Sequence, residues 1–124
     1  MKKYILIIML FLISTIPGAG ICADPWTPAQ KYAQAGITAM QIIDWGQTRN
    51  IASHPESFRE SNPIMGNHPS KGSVDAYFLL SIPVHILATH FTPSKYRKYI
   101  QAIQIGSSGY CITENFRIGL GVKF

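Results

Sequence analysis

Residues 74–91 read VDAYFLLSIPVHILATHF, and this stretch decides the class of fold. Tyr77, Phe78, Leu79, Leu80, Ile82, Val84, Ile86 and Leu87 do not alternate with polar residues as a half-buried strand requires. The apolar run is about 18 residues long, the lower edge of what crosses a bilayer core. The expected element is therefore a spanning or deeply buried helix. Pro83 is expected to kink it, because proline lacks the backbone donor and crowds the preceding turn. Asp75, His85 and His90 are its polar members. The two histidines are separated by about 140° around a helix and do not face one metal together. Each reads as a hydrogen-bonded helix histidine.

Upstream, Thr27 and Pro28 form a helix-start signal, an N-cap followed by proline at the first helical position, and no further proline occurs until Pro55. A helix over residues 28–52 follows. Gln30, Gln34, Thr38, Gln41, Asp44 and Thr48 fall within one arc of it, while Ala35, Ala39, Met40, Ile42 and Ile43 cover the rest. So narrow a polar seam suits burial against other helices or in a bilayer; a surface helix with a wide apolar face is the alternative. Residues 53–73 are rich in His, Pro, Asn, Ser and Gly and form a long connecting loop, with Phe58, Ile64 and Met65 as apolar anchors that favour order.

Downstream, Pro93 and Ser94 open a further helical segment in which Tyr96, Tyr99, Ile100, Ile103 and Tyr110 recur at helical spacing. Gly106, Ser107, Ser108 and Gly109 interrupt it; in water they weaken a helix, whereas in a bilayer small residues let helices approach closely. From Phe116 the period changes. Phe116, Ile118, Leu120, Val122 and Phe124 alternate with Arg117, Gly119, Gly121 and Lys123, which predicts a short terminal strand.

At the other end, Lys2 and Lys3 precede an apolar run over residues 4–16 and the small, helix-breaking Pro17, Gly18, Ala19 and Gly20. That is the layout of a signal peptide, with cleavage expected after Ala23. An uncleaved anchor is the alternative, because the apolar stretch to Cys22 spans about 18 residues, and lipidation at Cys22 is a poorer fit. Two units result: residues 1–23 as signal peptide or membrane anchor, and residues 24–124 as a single small helical domain. Loss of Lys2 and Lys3 leaves a net charge of about +3 with no dense basic cluster, which argues against a nucleic-acid partner. Cys22 and Cys111 alone make neither a disulfide scaffold nor a zinc site.

The most distinctive residues lie between the first two helices: Asp44, Gln47 and Thr48, then Glu60-Ser61-Asn62-Pro63-Ile64-Met65-Gly66, then His68-Pro69-Ser70. Over residues 40–80 this pattern resembles a family of small uncharacterised membrane proteins, several encoded by phages or prophages. In that family an Asp-x-x-Gln-Thr helix is followed by Glu-x-Asn-Pro-x-x-Gly and His-Pro-Ser before a second apolar helix. The resemblance implies helical membrane architecture and no particular reaction.

Read from the residues themselves, Asp44 and Thr48 share a helix face, and a returning loop could bring Glu60 and His68 beside them. Asp44, Glu60 and His68 are acid-base and hard-ligand types and are the candidate catalytic set. The plainer role for both carboxylates is to hold backbone amides at the helix and loop junction, or to pair with Arg49 or Arg59. Asn62-Pro63 reads as a turn that Gly66 completes with a positive φ. No recognised catalytic, phosphate-binding or metal-ligand spacing is present, so no cofactor or metal is expected.

The expected fold is all-α: an N-terminal signal or anchor helix, then a two- or three-helix membrane-associated bundle with a short C-terminal strand-like tail. The expected function is that of an envelope protein, foremost in the inner (cytoplasmic) membrane, acting through contacts with membrane lipid, another envelope protein or itself. Two alternatives stand beside it. One is a membrane-embedded enzyme or metal-binding protein using Asp44, Glu60 and His68. The other is an outer-membrane-directed or periplasmic protein, motivated by the alternating tail and opposed by the short chain, since even a small barrel needs eight strands of about 10 residues.

Overall fold

Thr27 begins the first helix by a reciprocal cap: its Oγ1 accepts from the Gln30 amide at 3.2 Å while Gln30 Oε1 accepts from the Thr27 amide at 3.2 Å. Two of the orphan donors of a helix start are satisfied in this way. The computed structural model describes residues 23–124, in which three helices follow one another: α1 (Pro28–Ser53), α2 (Lys71–Phe91) and α3 (Ser94–Arg117). Ser70 caps α2 by accepting from the Ser73 amide at 3.1 Å. Thr92 and Pro93 separate α2 from α3, so the chain reverses at once and α3 returns parallel to α1. The expected N-terminal anchor helix lies outside the described residues.

The helical expectation holds for all three segments, and α2 continues through Pro83. Two details differ. The small residues from Gly106 to Gly109 do not end α3, which runs on to Arg117, and a Cβ placed on Gly109 would meet Met40 Cε at 3.4 Å, so this small residue permits a close approach to α1. The terminal strand is not formed: residues 118–124 carry no strand, and α3 absorbs the first residues of the alternating stretch. The tail lies against α1, with the Lys123 amide donating to the Gly46 carbonyl at 3.1 Å and Asn50 Nδ2 donating to the Gly121 carbonyl at 3.1 Å. A helix flank offers no second ladder of free backbone groups, so period-2 sequence there yields an extended strap instead of a strand.

Interhelical packing is dominated by α1, which contacts α3 and α2 far more than these contact each other. The residues that α1 turns inward are Gln34, Ile37, Gln41, Thr48 and Ile51, at the alternating three- and four-residue spacing of a coiled-coil seam. On α2 the corresponding line is Asp75, Phe78, His85 and Thr89; on α3 it is Arg97, Gln101, Gln104 and Ser108. The period is that of an ordinary bundle and the polarity is reversed. Buried apolar side chains are Ile37, Ile51, Val74, Phe78 and Leu120, whereas Gln34, Gln41, Gln47, Thr48, Asn50, Glu60, Thr89, Arg97 and Gln101 are buried as well. Meanwhile Leu79, Leu80, Leu87, Phe91 and Ile103 face outward, Leu80 and Ile103 at 70% exposure.

The polar interior is organised by two charged clusters. Near the α2–α3 turn, Arg97 is fully buried, and its guanidinium donates to the carbonyls of Thr89 (3.1 Å), Pro25 (3.1 Å), Asp24 (2.8 Å) and His90 (2.8 Å). Toward the opposite end, Arg49 pairs with Asp75, whose Oδ1 also accepts from Trp45 Nε1 at 2.8 Å. Trp45 stacks on Phe78 with ring centres 5.9 Å apart and meets the edge of Phe124 at the same distance. One amphipathic indole thus joins α1, α2 and the tail.

Candidate functional site

The loop between α1 and α2 is shaped by its own side chains. Asn62 Oδ1 accepts from the Ile64 amide at 3.0 Å, and its carbonyl accepts from Met65 (3.2 Å) and Gly66 (3.1 Å). Gly66 takes φ 79°, a left-handed conformation that disfavours any residue with a Cβ. Glu60 is tied in twice, its amide donating to the Asn67 carbonyl at 2.9 Å and its Oε1 accepting from the Asn62 amide at 2.8 Å. The first limb of the loop is thereby held against the helices, where it closes one side of a cavity of about 540 Å³.

Asp44 and Thr48 of α1, Glu60 and Asn62 of the loop, and Asn115 of α3 all line that cavity. Asn115 Nδ2 donates both to Asp44 Oδ1 (3.2 Å) and to Gln47 Oε1 (3.1 Å). Gln47 is fully buried, and its Nε2 reaches the Ile112 carbonyl at 3.5 Å. The Asp-x-x-Gln-Thr spacing therefore has a local meaning. Residues three and four apart lie on one face, where the first two share a single amide from α3 and Thr48 continues the wall.

Of the candidate acid-base set, the cavity brings together Asp44 and Glu60. His68 is exposed and does not line it; Pro63 is exposed and Pro69 is buried. The imidazole in the wall is His85 of α2, which pairs with Gln41 Nε2. Neither Arg49 nor Arg59 lines the cavity, and Arg49 takes Asp75 as its partner. Glu114, also a lining residue, is bound by Arg117 at 2.7 Å.

Sequence reading missed His85, Asn115 and Glu114 as wall residues. A usable signal was present on α3: Arg97, Gln101, Gln104, Ser108 and Asn115 repeat at three, four and seven residues, the same seam spacing as on α1. His85 falls on the equivalent line of α2. His90 stands apart, accepting from Trp26 Nε1 at 2.8 Å near the other end of the bundle.

Among the described residues no group of three or more His, Cys, Asp and Glu side chains is disposed to hold a metal ion. The arrangement can stabilise positive charge and exchange protons. Cys111 is a free thiol on the cavity wall. No family model, curated protein or solved structure matches this chain.

Proposed function

We propose that the protein is a small integral membrane protein of the cell envelope, located in the inner membrane, whose helices form a lipid-facing bundle around a polar interior. The single observation that carries this reading is the reversed polarity of the seams. Burying leucine-class side chains is the main favourable term for folding in water, at roughly 1.5–3 kcal/mol each, and the described residues bury fewer of these than they do glutamines, asparagine, threonines, glutamate and arginine. In hydrocarbon the preference inverts, since an exposed amide or guanidinium has no water to bond and internal hydrogen bonds become the glue between helices.

The helix α2 supports the same reading. It is long and apolar enough to cross a membrane, yet only 17% of its apolar stretch is buried within the chain. The core helix of a water-soluble domain would be mostly covered. Residues 32–43 of α1 and 99–113 of α3 are also free of Asp, Glu, Lys and Arg, stretches of about 18 and 22 Å at 1.5 Å per residue. Trp26, Tyr96 and Tyr99 lie beside Lys95 and Lys98 at one end, an amphipathic belt suited to an interface.

In this reading residues 1–23 direct export, and cleavage after Ala23 leaves Asp24 at the N-terminus. Such an end keeps the Asp24 and Pro25 carbonyls on Arg97. The protein acts through its contacts with lipid and with envelope proteins, not through a reaction assigned to Asp44, Glu60 and His68.

The test is extraction of membranes from cells expressing the full chain. After an alkaline carbonate wash the protein is expected to stay in the pellet and to dissolve only in detergent. Quantitative release into the wash would refute integral insertion. Density fractionation of the same membranes separates the inner from the outer membrane, and N-terminal sequencing of the purified protein is expected to begin at Asp24.

A further inference from the structure

We infer that the end of the bundle bearing the α2–α3 turn is a docking surface for the headgroups of anionic phospholipids, an inference that rests on the membrane reading above and adds the class of lipid. Gln30 Nε2 donates to the Ser94 carbonyl at 3.0 Å and Gln101 Nε2 to the Gln30 carbonyl at 2.8 Å, so the first turns of α1 and α3 stand together at that end. Residues 24–31 and 95–98 carry four basic residues against Asp24 alone. Toward the other end, residues 44–75 and 114–123 carry five basic and five acidic ones, and the stretches between carry none. The whole net charge of residues 23–124, +3, therefore sits at one end of the bundle.

Three of those cations are unengaged. Asp24 Oδ2 is taken by the Ser94 amide at 2.7 Å, and Arg97 is buried with its donors on backbone carbonyls. Lys31, Lys95 and Lys98 are exposed and form no ion pair among the described residues. Lys31 borders the groove between α1 and α2 beside Trp26 and Ile86, while Lys95 and Lys98 belong to α3. Their ammonium groups thus surround the end instead of converging on one pocket. Such a ring suits a layer of phosphates around the protein, whereas one soluble anion would call for convergence.

The order of side chains along the axis favours lipid over other polyanions. Lys95 Nζ lies 4.8 Å from the Tyr96 ring centre and Lys98 Nζ 5.0 Å from that of Tyr99, and both rings are at least half exposed. Nearer the middle of the bundle come Ile103 on α3 and Leu87 on α2, 70% and 51% exposed. Cation, phenol and aliphatic surface follow one another as phosphate, glycerol and acyl chain do in a monolayer. An acidic protein or a nucleic acid would meet the lysines and leave the aliphatic surface beside them uncovered. Each lysine near an anionic membrane surface contributes about fivefold in affinity.

The test uses the full chain purified in maltoside detergent. Native mass spectrometry reads the half-saturating concentration of dioctanoyl phosphatidylglycerol against that of dioctanoyl phosphatidylethanolamine, which is zwitterionic. Phosphatidylglycerol is expected to saturate at a concentration roughly tenfold lower or more. Lys31→Gln, Lys95→Gln and Lys98→Gln combined should bring the two lipids within about twofold of each other. Arg59→Gln, Lys71→Gln and Lys123→Gln combined remove the same charge from exposed positions toward the other end and should leave the preference intact. In the parent chain, raising ammonium acetate to about 0.5 M should erase most of the preference by screening, a readout that needs no variant to fold.

The proposal is overturned if the parent binds both lipids alike, if high salt leaves the preference undiminished, or if the two triple variants lose it equally. It is also overturned if sodium glycerol phosphate displaces phosphatidylglycerol at equal concentration, since a free phosphate ester would then be the ligand. A chain that the carbonate wash retains but that ignores headgroup charge loses this proposal and keeps the membrane reading. One that the wash releases but that still separates the two lipids keeps the docking surface and loses integral insertion.

Discussion

The guanidinium carbon of Arg97 lies 4.9 Å from the centre of the Trp26 ring. That stacking places a fully buried cation of α3 between the segment preceding α1 and the end of α2, where its donors collect two carbonyls from each. Arg97→Ala removes a donor from each of these carbonyls and is expected to cost about 3 kcal/mol or more, given roughly 1.5–3 kcal/mol per hydrogen bond to a charged group. Arg97→Lys keeps the charge but not the planar fork, and recovers less than half of the loss. Thermal unfolding in detergent, followed by circular dichroism, measures both.

Gly46 is the position at which the tail meets α1. A Cβ there would collide with Val122 Cγ1 and stand 3.0 Å from the Phe124 ring. Gly46→Ala is expected to lift the tail while leaving the helices intact, because the obstructing atoms belong to a terminal strap. Carboxypeptidase should then remove residues 122–124 several times faster than in the parent, with helical content unchanged.

Loop geometry depends on Gly66. Its left-handed φ makes Gly66→Ala cost about 1–2 kcal/mol, while Gly66→Asn is better tolerated because asparagine visits that region. The loop carries Glu60 and closes the cavity, so the alanine variant should expose the wall and accelerate alkylation of Cys111. Stability and thiol reactivity are measured on the same samples.

Asn115 bridges Asp44 and Gln47. Asn115→Leu removes both hydrogen bonds from a half-buried setting and is expected to destabilise by about 1–3 kcal/mol. Gln47→Leu in the same background should then cost less than it does alone. Such a double-mutant cycle is expected to give a coupling of about 0.5–3 kcal/mol, the range for residues in one network.

Leu80 stands at the middle of α2 with its side chain outward. Leu80→Arg touches no packed neighbour core and would be nearly neutral for a protein in water. For a helix in hydrocarbon the expected penalty is about 2.5–3.5 kcal/mol of insertion free energy. A glycosylation-based insertion assay of α2, parent against variant, reads this directly; equal insertion would count against the proposed membrane location.

Much of the secondary structure could be read in advance. Thr27-Pro28 marks a helix start because its chemistry is local, and the apolar run ending at Phe91 leaves little choice of element. Asn62 and Gly66 likewise report their turn through short-range hydrogen bonding and backbone sterics. His68 shows where such reading fails. Its neighbours in sequence place it near Glu60, yet the loop turns it outward, and His85, remote in sequence, stands in the wall instead.

The terminal alternation failed for a related reason. Its period was real, but a strand requires a partner edge, and among the described residues the tail lies instead on the flank of α1 around Gly46. What the sequence by itself determined about this protein is therefore what local forces control: the helical character of the three described segments, the cap at Thr27, the turn at Asn62 and the polar seam of α1. Only the tertiary structure decided that this seam faces inward, that Arg97 joins three segments, and that Asp44 and Glu60 share a cavity with His85. Those outcomes depend on which faces meet across long sequence separations. Helical period records that a face differs from the rest, but not which side of the bundle will cover it.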